Sequence, residues 1–160
     1  MNFTVGPTCY VTFGRFQPPT VGHGASMDAI ATAAKEGGHP GHYRIYVSQS
    51  NKPVKENPIP PDVKADILRK GFPKHAKHIY SSSKFNVIPA ALEHVMVDGY
   101  RNCVYMCGSD RMNEPAMQFV LKHNGVQPKK GHYYNFWSMW MESSGNRDPE
   151  GKTFAMSGTK

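Results

Sequence analysis

The chain has 160 residues and a mass of 17.8 kDa, enough for one well-formed core, and reads as a single domain over residues 1–160. Its formal charge of +7 suits an anionic partner such as a nucleotide. The lysines are dispersed, with no dense patch beyond Lys129-Lys130, so the charge reads as help for a phosphate site and a nucleic-acid partner is not expected. No stretch reaches the roughly 18 to 20 apolar residues of a membrane span, and no basic segment followed by an apolar core opens the chain. The expectation is a soluble cytoplasmic protein without a membrane partner.

In chain order, the apolar run Tyr10–Phe13 predicts a first strand. A helix is predicted from about Gly24 to Lys35, with Met27, Ile30, Ala31 and Ala34 on one face and Gly37-Gly38 ending it. Tyr43–Val47 predicts a second strand, followed by a polar, proline-rich loop from Ser48 to Pro61. Asp62 opens another predicted helix carrying Val63, Ile67 and Leu68, stopped by Gly71 and Pro73. Ile88–Val97 has helical register, Asn102–Cys107 reads as a buried strand, Glu114–His123 as a helix and Tyr133–Met141 as an aromatic-rich strand. Strands alternating with helices predict an α/β fold with a mostly parallel sheet flanked by helices. Ligands of such sheets sit beyond the carboxyl ends of the strands.

Three cysteines cannot make a full disulfide set. Cys103 and Cys107 share a strand face and lack two further metal ligands at suitable spacing, so they read as core thiols. The pairs His39/His42 and His75/His78 stand at i,i+3 spacing, but the first brackets a turn and the second follows Pro73; all four read as surface histidines.

The segment that carries chemistry is Gly14-Arg15-Phe16-Gln17-Pro18-Pro19-Thr20-Val21-Gly22-His23. A strand, a Gly/Pro-shaped turn and a helix opening on Gly-His make a place to hold phosphate, because a helix N-terminus offers unpaired N–H groups and partial positive charge. Gly22 lets the backbone approach closely, Thr20 offers a hydroxyl, and His23 can bond a phosphoryl oxygen as charge builds up on it. Arg15 reads either as a substrate contact or as a surface ion pair. Two further segments, Cys107-Gly108-Ser109-Asp110-Arg111 and Met156-Ser157-Gly158-Thr159-Lys160, place small and polar residues after strand-like elements. Asp110 reads as a nucleotide contact, a cap of the helix beginning near Asn113, or both.

Thr20-Val21-Gly22-His23 resembles the His/Thr-x-Gly-His signature of the HIGH-type nucleotidyltransferases, the cytidylyltransferase-like superfamily. Gly14-Arg15-Phe16-Gln17-Pro18 looks most like its archaeal-type and phage-encoded nicotinamide mononucleotide adenylyltransferases. Ser48-Gln49-Ser50 and Asn57-Pro58-Ile59 add to that likeness, which runs along nearly the whole chain in order. The resemblance implies a single Rossmann-like domain that transfers AMP from ATP to nicotinamide mononucleotide, forming NAD and releasing pyrophosphate. Other acceptors (phosphocholine, glycerol phosphate, phosphopantetheine, with ATP or CTP) and a non-catalytic phage nucleotide-binding or structural protein stay open.

The resemblance makes His23 and Thr20 catalytic. It places Gly14, Arg15, Phe16, Gly22, His23, Gly108, Ser109, Asp110, Ser157, Gly158 and Thr159 around the nucleotide, with Ser157 and Thr159 at a second helix start. Lys52, Asn57 and Trp137 are candidate acceptor contacts; Lys52 reads equally as a solvated loop lysine, and Trp137 and Trp140 each read either as a ring stacked on nicotinamide or adenine or as a core aromatic. Mg²⁺ is expected with ATP, held by phosphate oxygens and water and not by protein side chains. Homo-oligomers occur among the relatives. Their Ser-x-Thr motif continues to an arginine and a helix, where the present sequence stops at Lys160. A shortened chain, a processed product and an inactive relative are all consistent with that departure.

Overall fold

The computed structural model describes residues 7–16, 21–49, 60–144 and 156–157. Its centre is a sheet in the order β3-β2-β1-β4-β5-β6: β1 Thr8–Gly14, β2 Tyr43–Val47, β3 Ile79–Tyr80, β4 Asn102–Cys107, β5 Ser138–Ser143 and β6 Met156–Ser157. The first five pair in parallel and β6 runs antiparallel along β5. Four helices flank it: α1 Val21–Glu36, α2 Pro61–Gly71, α3 Ile88–Val97 and α4 Pro115–Lys122. This is a Rossmann-like α/β domain. No described helix is long and apolar enough to cross a membrane.

Alternation along the buried strands sorts side chains onto two cores. Cys9 and Val11 of β1, Tyr46 of β2 and Cys103, Tyr105 and Cys107 of β4 pack beneath α3 and α4 with Leu92, Val95, Met117 and Val120. Tyr10, Ile45, Val47, Val104 and Met106 face the other way, onto Met27, Ile30 and Ala34 of α1 and Ala65 and Leu68 of α2. All three cysteines are buried and none is in a disulfide, as core thiols should be. Burial pushes the Cys9 thiol up to about 12 and the Cys103 thiol well above its ordinary value.

Several boundaries differ from expectation. Helix α1 begins at Val21, so His23 lies inside its first turn. It ends as the two glycines require: Gly38 takes φ +87°, and the N–H groups of Gly38 and His39 close on the carbonyls of Lys35 and Ala34. On α2 the buried residues are Lys64, Ala65 and Leu68, while Val63 and Ile67 are over 40% exposed, because the face that meets the sheet is a quarter-turn round from the one the apolar residues mark. The aromatic-rich segment 133–137 is not strand; β5 starts only at Ser138, though Tyr134 and Phe136 are buried.

His75 is not a surface residue. It is 1% exposed in the 3-10 turn Pro73–His78, where Nδ1 pairs with the Tyr43 hydroxyl at 2.6 Å and Nε2 with Asp28 at 2.7 Å. His78 stacks on Tyr43 with ring centroids 3.9 Å apart. Pro73 thus starts a packed turn leading into β3, a two-residue strand too short for periodicity to announce.

Candidate nucleotide-binding site

The sheet opens where its connectivity reverses. β1 stays paired with β2 to its last residue, Gly14 against Val47, and β4 with β5 to Cys107 against Ser143. Between β1 and β4, however, pairing stops at Val11 against Tyr105. One residue on, the Thr12 hydroxyl donates to the Met106 carbonyl at 2.8 Å, and beyond it the two strands part. Their connections leave in opposite directions, so a crevice opens at the carboxyl edge.

A cavity of about 580 Å³ occupies this place. Its walls come from the end of β1 and the turn after it (Thr12, Phe13, Gly14, Arg15, Phe16), from α1 (His23, Ser26, Met27, Ile30) and from the end of β4 and beyond (Cys107, Gly108, Asp110, Arg111, Glu114, Ser144). The first turn of α1 meets this edge because a crossover helix runs antiparallel to its strands. His23 therefore stands with the helix's positive end.

The turn after β1 is tightly built. Phe16 is 7% exposed with φ +50°, a left-handed conformation that costs a non-glycine residue roughly 1–3 kcal/mol. Its ring folds back over Gly14, where a Cβ would come within 2.9 Å of it. The same ring meets the His23 imidazole edge-on, with centroids 5.0 Å apart. Gly24 serves α1 similarly, since a Cβ there would run into the Phe72 ring at the end of α2. From α2, the fully buried Lys64 donates from Nζ to the Arg15 carbonyl at 2.7 Å. Burial, with the Arg15 charge nearby, lowers the Lys64 pKa.

Across the crevice, Gly108 leads from β4 into the 3-10 turn Ser109–Arg111. Asp110 and Arg111 line the cavity, and the Arg111 guanidinium lies 3.5 Å from Glu114. The helix beyond is capped at Glu114, so Asp110 is not its cap. Two guanidiniums, two carboxylates and an imidazole thus converge on a space large enough for a nucleotide.

A second cavity of about 610 Å³ shares Phe13 with the first. It lies between the start of α3 and α4 and is lined by Val87, Ile88, Phe119, Val120, Val126 and Tyr134, with Lys130, His123 and His132 among its polar groups. His132 is held by Glu93 at 2.8 Å.

Of the residues singled out from sequence, the structure gathers Gly14, Arg15, Phe16, His23, Gly108 and Asp110 around one cavity. Gly22 is in the first turn of α1, and Ser109 lies between two lining residues without joining them. Ser157 is not at a helix start: it belongs to β6, opposite Met141, with Met156 opposite Glu142, so the chain there runs back from the carboxyl edge. Trp137 is 67% exposed and lines neither cavity, and Trp140 bonds Glu142 from its indole N–H. Thr20, Lys52, Asn57, Gly158 and Thr159 lie outside the described residues.

Arg111, Glu114, Ser26 and Ser144 are lining residues that sequence reasoning missed. Ser26 had a signal, standing three residues after His23 on the same helix face. Arg111 directly follows the Gly-Ser-Asp turn. No family model, curated protein or solved structure matches the chain.

Proposed function

We propose that the protein is a nucleotidyltransferase that passes AMP from ATP to a phosphate-bearing acceptor, with nicotinamide mononucleotide the leading candidate and NAD the product. One observation carries this reading: residues 14–16 and 23 from one sequence segment and residues 107, 108, 110 and 111 from another meet around a single polar cavity at the point where strand order reverses.

The residues suit the chemistry. An acceptor phosphate oxygen attacks the α-phosphorus in line, the bond from that phosphorus to the bridging oxygen breaks, and pyrophosphate leaves with the electron pair. Charge grows on the leaving oxygens, so catalysis is positioning and electrostatic stabilisation. His23 and the α1 N-terminus face the leaving phosphates, and Arg15 and Arg111 supply counter-charge from opposite walls. Asp110 and Glu114 are the carboxylates of the lining. Mg²⁺ arriving on the triphosphate would be held by phosphate oxygens and water, with Asp110 or Glu114 reaching it through water. The adjoining apolar cavity suits the planar ring of a nicotinamide nucleotide better than glycerol phosphate or phosphocholine, and Lys130 offers its phosphate a charge.

The test is pyrophosphate release with Mg²⁺, ATP or CTP, and a panel of phosphorylated acceptors. Release dependent on ATP and nicotinamide mononucleotide is expected. His23→Ala should lower kcat by roughly 10²–10³-fold, the usual loss on deleting one such donor, with the circular dichroism spectrum unchanged. Wild-type turnover in that variant would overturn the mechanism. The course of β6 favours a second reading, nucleotide binding without transfer, because Ser157 is not presented at a helix start; ATP binding with no release from any acceptor would establish it.

A further inference from the structure

We propose that Lys64 is a positioning residue: its buried amine holds the Arg15 carbonyl and thereby fixes the left-handed turn at Phe16 that sets the His23 imidazole at the cavity. The kinetic part of this inference rests on the role proposed above for His23; the structural part does not.

A lysine with no exposed surface gives up the hydration of its charge, and among the described residues it joins no carboxylate in return. Its partner is a main-chain oxygen, and that oxygen belongs to the residue directly before the strained one. A strained backbone persists only where its surroundings over-determine it. Among the described residues the surroundings are specific. The Phe16 ring lies over Gly14, Lys64 reaches across from α2 to hold Arg15, and Phe72 at the end of the same helix packs on Gly24. The turn and the start of α1 are therefore both referenced to α2, and the Phe16 ring passes that reference to His23 at 5.0 Å. Lys64 does not line the cavity.

Two measurements test this without any assay of activity. In the wild-type protein at pH 6, the Lys64 ammonium should give a slowly exchanging ¹⁵N resonance with a scalar coupling across the hydrogen bond to the Arg15 carbonyl carbon. In Lys64→Met, of similar volume and expected to fold, the His23 Cε1–H resonance should lose the displacement caused by the Phe16 ring and move toward that of a free histidine. The buried His75 signals should stay in place. Absence of the ammonium resonance in the wild type overturns the proposal even should the variant fail to fold; an unmoved His23 resonance in a folded variant overturns it too.

If AMP transfer is confirmed, Lys64→Met should lower kcat by roughly 10- to 100-fold, the scale of a misplacement of about 1 Å. KM for ATP should change little. A wild-type protein that transfers no AMP sinks the enzyme reading alone, leaving the two spectroscopic results to decide the role of Lys64.

Discussion

His23 owes its place to neighbours chosen for size. Gly14 lacks the Cβ that would meet the Phe16 ring, and Gly24 lacks the one that would meet Phe72. Gly24→Ala should cost about 1–3 kcal/mol of stability through overpacking, read as a lower urea midpoint; an unchanged midpoint would show that the Phe72 ring yields freely. Titratable residues add a pH dependence of definite sign. Burial lowers the pKa of both His78 and His94 from the ordinary 6.5, so the unfolded chain takes up protons there before the folded one does. Stability contributed by keeping these rings neutral is present above about 6.5 and is lost as pH falls from there toward the lowered folded values. Asp28 and Glu93, whose pKa values are lowered by hydrogen bonds from His75 and His132, act in the same direction at more acid pH. Thermal midpoints should therefore rise from pH 5 to pH 7; a flat or falling profile would contradict the burial of these groups.

Between elements, the ties are polar and specific. Asp28 of α1, His75 of the 3-10 turn and Tyr43 of β2 form one chain of hydrogen bonds, to which Lys74 adds an ion pair at 3.1 Å. Arg44 of β2, 9% exposed, reaches Asp98 after α3 at 2.7 Å and donates to the Tyr46 hydroxyl, while His94 of α3 pairs with the same hydroxyl. These contacts fasten helices on opposite faces of the sheet to the strand beside β1. His75→Leu nearly keeps the volume and strands the buried Tyr43 hydroxyl, and it should cost roughly 1–3 kcal/mol. Chemical denaturation measures this, and adding Tyr43→Phe should recover part of the loss. Full additivity of the two substitutions would mean that the hydrogen bond contributes nothing. None of this was legible in the sequence: a histidine three residues from another reads as solvent-facing until the chain is folded, because its partners are 32 and 47 residues away.

At the scale of the whole molecule, the crevice exists because connections diverge between β1 and β4, and its lining is drawn from both halves of the chain. Ligand binding there should stabilise the entire fold by mass action. ATP with Mg²⁺ at about 100 times its dissociation constant contributes roughly 2.7 kcal/mol, which for a chain of this size raises the midpoint by roughly 5–10 °C. Differential scanning fluorimetry would show the shift in the wild type and a reduced one in Arg15→Ala. A wild-type midpoint indifferent to every nucleoside triphosphate would count against a nucleotide site.

The alternation of apolar segments with Gly- and Pro-bounded helices was enough to determine an α/β fold with a mostly parallel sheet, because burial on both faces leaves continuous apolar runs and crossover helices leave a 3.6-residue period. The segments 14–23 and 107–111 stood out for the same local reason, small residues at a strand's end. Tertiary structure alone decided the rest. Strand order brought residues 14–16 and 23 of the one segment to the same cavity as residues 107, 108, 110 and 111 of the other, and set Glu114, Ser26 and Ser144 in its wall. It also placed Lys64 beneath the Arg15 carbonyl, buried His75, left Trp137 outside and laid Ser157 along β5. Each of these depends on contacts between residues far apart in the chain, and no local period or spacing encodes them.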